Sequence, residues 1–220
     1  MSKIDKYLKI IKNNFPELIL NKYKLLDYTW DFDVVILDNT KVFRFPKRDN
    51  VKKNLKQEIA LLNVLKEKTT ANVPNYSFLA NDNLFAVCNF IEGKKITSHY
   101  LGQLSKTKRL EISKQVALFI NSLHGINYIS LDIKLPKIKS EEEILDLQLN
   151  IKNFLVDKLK EEELIIIQNF ILEYQDIVKD SYTQRIIHSD LHSEHLLWNE
   201  DESSLGVIDF SDCRLSLIHI

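Results

Sequence analysis

Apolar residues recur at helical spacing at the start of the chain: Ile4, Tyr7, Leu8 and Ile11 predict an amphipathic helix over residues 3–14. Shorter β-rich segments follow at Tyr23–Tyr28, Val34–Leu37 and Val42–Phe45. The last two flank Asp38-Asn39-Thr40, whose turn chemistry predicts a hairpin, and Pro46 ends the second strand because it has no N–H to donate. In Lys52–Lys68, Leu55, Ile59, Leu62 and Leu65 form one stripe, so a helix is expected there, with Glu58 on its polar side next to the stripe. Tyr76–Ala80 and Leu84–Phe90 read as strands around an Asn-Asp-Asn turn.

Beyond Glu92-Gly93 the pattern becomes helical. Leu110–Leu123 carries apolar positions at Val116, Phe119, Ile120 and Leu123. Ser140 with Glu143 makes a capping box that opens a helix through Leu159, and Glu161–Val178 is another helix. The β signal returns in Arg185–Ile187 and Leu205–Ile208, on either side of a polar, His-rich loop. The pattern is α+β: a small β-rich lobe over residues 1–91 and a larger α-rich lobe over residues 92–220, with chemistry expected between them.

Composition narrows the function. The 220 residues hold 30 Lys+Arg against 31 Asp+Glu, a net charge of −1, which argues against a nucleic-acid partner. No apolar run approaches the roughly 20 residues of a membrane span, and the N-terminus lacks a secretory h-region, so no membrane partner and a cytoplasmic location are expected. Cys88 and Cys213 form no CxxC pair and read as reduced thiols. Only 4 glycines occur, which makes a glycine-rich phosphate loop an unpromising basis for function.

The densest titratable cluster is His188-Ser189-Asp190-Leu191-His192-Ser193-Glu194-His195, and Asp209 follows in Val207-Ile208-Asp209-Phe210-Ser211-Asp212. Asp190 and Asp209 each follow an expected strand, so two neighbouring strands would deliver two carboxylates to one edge. Such a pair suits phosphoryl transfer: one carboxylate takes the proton of an attacking hydroxyl and the other holds Mg2+. The histidines leave a second reading open, a metal-dependent hydrolase in which His188, Asp190, His192 and His195 ligate zinc, although no H-E-x-x-H pattern is present.

His188-x-Asp190-x-x-x-x-His195 followed by Ile208-Asp209-Phe210 resembles the catalytic loop and metal-binding turn of the aminoglycoside phosphotransferase family, which has the protein-kinase-like two-lobed fold. His195, where the family usually has Asn, resembles the subgroup that modifies the 2″ hydroxyl. Trp30-Asp31 and Val42-Phe43-Arg44-Phe45-Pro46 resemble the family's flap hairpin and following strand, and Asn89-Phe90-Ile91-Glu92-Gly93 resembles its hinge. The resemblance implies that Asp190 is the catalytic base and that His195 and Asp209 are metal ligands. It also implies that Arg44, positioned by Glu58, contacts nucleotide phosphate, and that the hinge around Asn89 and Ile91 receives the base. The implied cofactors are Mg2+ and ATP or GTP, and the implied partner is a hydroxylated small molecule, with aminoglycosides the leading class. His188 is expected to orient the loop by hydrogen bonding, and Trp30 to pack as a core or lobe aromatic.

Two departures stand beside the resemblance. The flap Asp27–Phe32 has no glycine, and the chain stops eight residues after Asp212 where the family continues with further helices. Together they suggest an incomplete α-rich lobe, an exposed apolar patch through which copies could associate, and a second function class: a truncated, non-catalytic kinase-like chain.

Overall fold

The first helix is opened by Ser2, whose hydroxyl accepts from the Asp5 N–H while the Asp5 carboxylate accepts from the Ser2 N–H. This computed structural model describes residues 2–131, 134–136, 140–179 and 184–217. In chain order the first elements are α1 (Lys3–Asn14), β1 (Tyr23–Leu26), β2 (Phe32–Leu37), β3 (Lys41–Pro46), α2 (Asp49–Leu65), β4 (Tyr76–Leu79) and β5 (Ala86–Asn89). Next come β6 (Lys94–Lys95), α3 (Ser98–Gln103), α4 (Lys106–His124), α5 (Ser140–Phe154) and α6 (Glu161–Lys179). The last are β7 (Gln184–Ile187), β8 (Leu196–Asn199), β9 (Ser204–Val207) and β10 (Arg214–Leu217).

Two compact units result, Met1–Lys134 with His188–Cys213, and Leu135–Ile187 with Arg214–Ile220. Residues on both sides of position 91 therefore share the first unit. Its main sheet is antiparallel in the order β1-β2-β3-β5-β4. The β2–β3 hairpin turns at Asp38 and Asn39, both at positive φ (51° and 49°), a conformation short polar side chains tolerate. α1 packs on this sheet through Ile11, which joins Val35, Phe43, Phe45 and Phe85 in the core. Asp33 fastens the same helix: buried at the sheet, it accepts from Lys3 at 2.9 Å and from the Tyr7 hydroxyl, and Lys47 lies 3.2 Å away.

A second sheet in this unit runs β6-β8-β9. Asn72 bonds β9 on one side, donating to the Leu205 carbonyl at 2.7 Å and accepting from Val207 N–H at 2.9 Å. From α4, Gln115 accepts from Leu205 N–H and donates to the Ser203 carbonyl, both at 2.9 Å. β9 is thus clamped, and so is the segment that leads to Asp209.

The second unit pairs α5 with α6 and β7 with β10, with Ile144, Ile171, Ile186 and Leu215 buried. β10, like β6, β8 and α3, lacks a periodic run long enough to be read from sequence. The side chains of the Ser140/Glu143 capping box, and Ile218–Ile220 of the tail, lie outside the described residues. On α5 and α6, Phe154, Ile166, Phe170 and Leu172 are exposed.

Candidate active site

The site's buried anchor is Arg44. It lies on β3, opposite Val34 of β2 and Ala86 of β5, which turns its guanidinium to α2. There Val51, Leu55, Glu58, Leu62 and Leu65 are buried at i, i+4, i+7, i+11 and i+14. Glu58 thus occupies the apolar stripe itself, where the sequence reading put it beside the stripe. A buried carboxylate needs partners, and it has two. Arg44 Nη1 donates to Glu58 Oε1 and to the Tyr76 hydroxyl, and that hydroxyl donates to Glu58 Oε1 at 2.8 Å. Phe32 lies 3.9 Å beneath the guanidinium as a cation–π partner. Burial opposes the Arg44 charge, but Glu58, Tyr76 and Asp209 outweigh it and hold the group protonated. Arg44 Nη2 stands 3.6 Å from Asp209 Oδ1.

The other half is the loop from His188 and the turn after β9. The two aspartates do not come from neighbouring strands: β7 pairs with β10, and β9 pairs with β8. The β8–β9 hairpin does the work instead. It pairs Leu196 with Val207, so the preceding His195 and the following Ile208 meet, and Ile208 N–H donates to the His195 carbonyl at 3.0 Å. Asp209 then turns inward at φ 65°, a conformation uncommon outside glycine, with Ser211 donating to its Oδ1 at 2.9 Å. His188 bridges the same segments, its Nε2–H donating to the Ile208 carbonyl at 3.1 Å. Burial lowers the His188 pKa, so the ring is neutral and orients the loop.

The tautomer of His195 follows from its partners. Nδ1 lies 2.8 Å from the Asp190 carbonyl oxygen, an acceptor only, so Nδ1 carries the proton. In the neutral ring Nε2 then keeps its lone pair, 3.5 Å from Asp209 Oδ2. Two acceptors facing each other at this distance, with a second carboxylate on Asp190 nearby, fit a cation held by Asp209 and His195. The Asp190 Oδ2 oxygen lies 3.4 Å from His195 Nδ1 and 3.6 Å from His192 Nε2, with its side chain about half exposed.

The hinge and flap complete the description. Asn89 ends β5, and its side-chain carbonyl accepts from Asn75 N–H at 2.7 Å. Phe90 N–H is taken by the Thr40 carbonyl at 2.9 Å, whereas the Ile91 backbone makes no hydrogen bond among the described residues. The Ile91 side chain is buried against Gly206, where an added Cβ would stand 2.5 Å from Ile91 Cγ2. The flap between β1 and β2 is tied without glycine. Lys47 donates to the Asp27 and Thr29 carbonyls at 2.7 and 2.6 Å, and Arg48 pairs with Asp31. Trp30 is 90% exposed, not packed in a core as expected.

Arg44, Glu58, His195 and Asp209 therefore lie in one chain of contacts with Asp190, all within the first unit. Sequence reasoning missed Tyr76, Lys47 and Ser211. Tyr76 left no signal beyond a polar-tipped aromatic at the start of a strand.

Residues 22–220 match the phosphotransferase enzyme family, which is most of the chain. The chain belongs to that family. This phosphotransferase is similar in structure to the GDP complex of a point mutant of aminoglycoside 2′-phosphotransferase-IIIa, at 26% identity and TM-score 0.80 over 98% of this chain and 74% of that one. A GDP and kanamycin complex of APH(2″)-IIIa matches at 25% identity and TM-score 0.78, over 95% and 73% of the two chains. The streptomycin–ATP ternary complex of APH(2″)-IIa shares the fold at 22% identity and TM-score 0.72, over 98% and 73%. The phosphotransferase thus has the kinase-like α+β fold its motifs imply.

Proposed function

We propose that the chain transfers the γ-phosphoryl group of ATP or GTP to a hydroxyl of a small molecule, with aminoglycosides as the acceptor class. The observation that carries this is the contact chain Glu58–Arg44–Asp209–His195–Asp190, which joins a buried cation to three carboxylates and an imidazole. The resemblance to aminoglycoside phosphotransferases crystallised with nucleotide and antibiotic supports the substrate class.

Each residue's part follows from its surroundings. Asp190, half-exposed, accepts the proton of the acceptor hydroxyl as that oxygen bonds to phosphorus and the bond from phosphorus to the nucleoside diphosphate breaks. Asp209 and His195 Nε2 hold the metal. Mg2+, when bound, neutralises charge on the phosphate oxygens. Arg44, kept protonated and aimed by Glu58 and Tyr76, presents Nη2 to the phosphate side of Asp209. Ile91, with an uncommitted backbone, and Asn89 beside it are the hinge positions for the base.

The test is direct. Purified chain with Mg2+, ATP or GTP and an aminoglycoside panel should yield a phosphorylated product by mass spectrometry. Asp190→Asn should lower the rate by about 10²–10⁴-fold, the usual worth of a general base. Turnover that survives the substitution removes Asp190 from that role. Nucleotide-dependent thermal stabilisation with no product from any hydroxylated acceptor favours the non-catalytic alternative.

A further inference from the structure

The flap Asp27–Phe32 has neither a glycine nor a residue at positive φ, so a contact rather than backbone freedom must shape it. Lys47 meets three of its carbonyls. Its Nζ donates to those of Asp27 and Thr29 at 2.7 and 2.6 Å, and its backbone N–H donates to that of Asp31 at 2.9 Å. Asp33 Oδ1 lies 3.2 Å from the same Nζ. An ammonium has three N–H groups, and each has an acceptor here. Asp33 is itself held by Lys3 and Tyr7 of α1, so the clip is seated on that helix.

Strand alternation tells on which face the clip lies. Phe43 and Phe45 of β3 pack with Ile11 of α1, and Lys47 continues their row. Arg44, on the alternate row, faces α2, and Phe32 lies against its guanidinium. The Asp27 and Thr29 carbonyls are therefore drawn to the α1 face. In a planar trans peptide the N–H of the next residue points the opposite way. The N–H groups of Tyr28 and Trp30 are thus turned to the Arg44 face, and neither makes a hydrogen bond among the described residues.

We propose that Lys47 is the positioning residue of the flap: its ammonium holds alternate carbonyls on the α1 face, so that the Tyr28 and Trp30 N–H groups are presented together to nucleotide phosphate. Two N–H groups aimed the same way, on the face that carries Arg44, suit an anion. Lys47 thereby supplies from a side chain the backbone order that glycine would otherwise make accessible. The identity of the anion rests on the phosphotransferase reading; the shaping of the flap by Lys47 does not.

The experiment uses the full chain. It has two tryptophans, Trp30 in the flap and Trp198 fully buried on β8, so nitrogen-15 tryptophan labelling gives one flap amide and one internal reference. Without nucleotide, the Trp30 amide should show an order parameter near the rigid-backbone value of about 0.85, and Lys47→Met should lower it below about 0.6 while Trp198 stays unchanged. Lys47→Gln, which keeps a donor for one carbonyl, should fall between them. GDP or ADP with Mg2+ should shift the Trp30 amide in the wild type, and Lys47→Met should weaken nucleotide binding by about tenfold, the worth of one hydrogen bond to a charged group. The Trp198 amide reports whether each variant folds. The same Trp30 order parameter in wild type and variants, equal nucleotide affinity, or a Trp30 amide unmoved by a nucleotide that binds would each overturn the proposal. A wild-type chain that binds no nucleotide overturns the phosphotransferase reading and the phosphate role with it, and the order parameters then decide the role of Lys47 in shaping the flap.

Discussion

Nε2 of His195 faces Oδ2 of Asp209 across 3.5 Å, and in the neutral ring the proton lies on Nδ1, toward the Asp190 carbonyl. This leaves a gap between two acceptors that a cation would fill. Removing the nitrogen should therefore show as a metal defect. His195→Ala is expected to raise the Mg2+ concentration for half-maximal turnover by at least about tenfold, and His195→Asn, which supplies an amide oxygen, to recover most of the loss. Initial rates across a Mg2+ series, at saturating nucleotide, measure both; equal Mg2+ dependence in all three proteins removes His195 from the metal site.

Arg44 and Glu58 are both buried and mutually paired. Losing one partner strands the other's charge. Arg44→Met should cost about 3–5 kcal/mol of unfolding free energy, whereas Arg44→Met with Glu58→Met should cost far less than the sum of the single changes. Urea unfolding of the four proteins closes the cycle. Tyr76→Phe is the milder probe, because it removes one donor to Glu58 and keeps the ring.

Asp33 ties α1 to the sheet. Burial alone would raise its pKa, but bonds from Tyr7, Lys3 and Lys47 reverse this and hold it below the usual aspartate value. The unfolded chain then takes up the proton first as acid is added. The stabilisation is complete above the ordinary pKa of about 3.9 and is lost as pH falls through the lower folded value. Asp33→Asn should cost about 1.5–3 kcal/mol at neutral pH, the worth of hydrogen bonds to a charged group, and flatten the stability profile in that acid range, as thermal melts across pH will show.

Gly206 faces the side chain of Ile91. Gly206→Ala places its methyl 2.5 Å from Ile91 Cγ2, so the hinge residue must move. The expected cost is about 1–3 kcal/mol, the range for overpacking a filled core. Ile91→Ala removes the obstructing methyl, so the double variant should be more stable than the two single effects added together; simple additivity in denaturant melts would show that the two side chains do not collide.

Much of the first unit is legible in the chain. Helix α1, the β2–β3 hairpin and α2 follow from periodicity and turn residues, since each buries an apolar stripe of sufficient length. Strands β6, β8 and β10 escape, being two to four residues long, with β6·β8 and β7·β10 pairing segments far apart in sequence. Glu58, expected beside the apolar stripe of its helix, lies within it. Its i+7 spacing from Val51 was the available signal, and Arg44, 14 residues earlier, is what makes its burial tolerable.

By itself the sequence determined the family and the residue types of the site, because the spacing from His188 to His195 and the Asp209-Phe210 turn are local patterns. It also left the flap Asp27–Phe32 without glycine. Only the tertiary structure decided which groups meet. The β8–β9 register, not two adjacent strands, brings His195 to Asp209. A hydroxyl from β4 joins Arg44 to Glu58, and a single carbonyl contact selects the His195 tautomer. These pairings range from 5 residues apart, His195 with the Asp190 carbonyl, to 32, Arg44 with Tyr76; they are made by strand register and side-chain reach, and neither quantity is written in local periodicity.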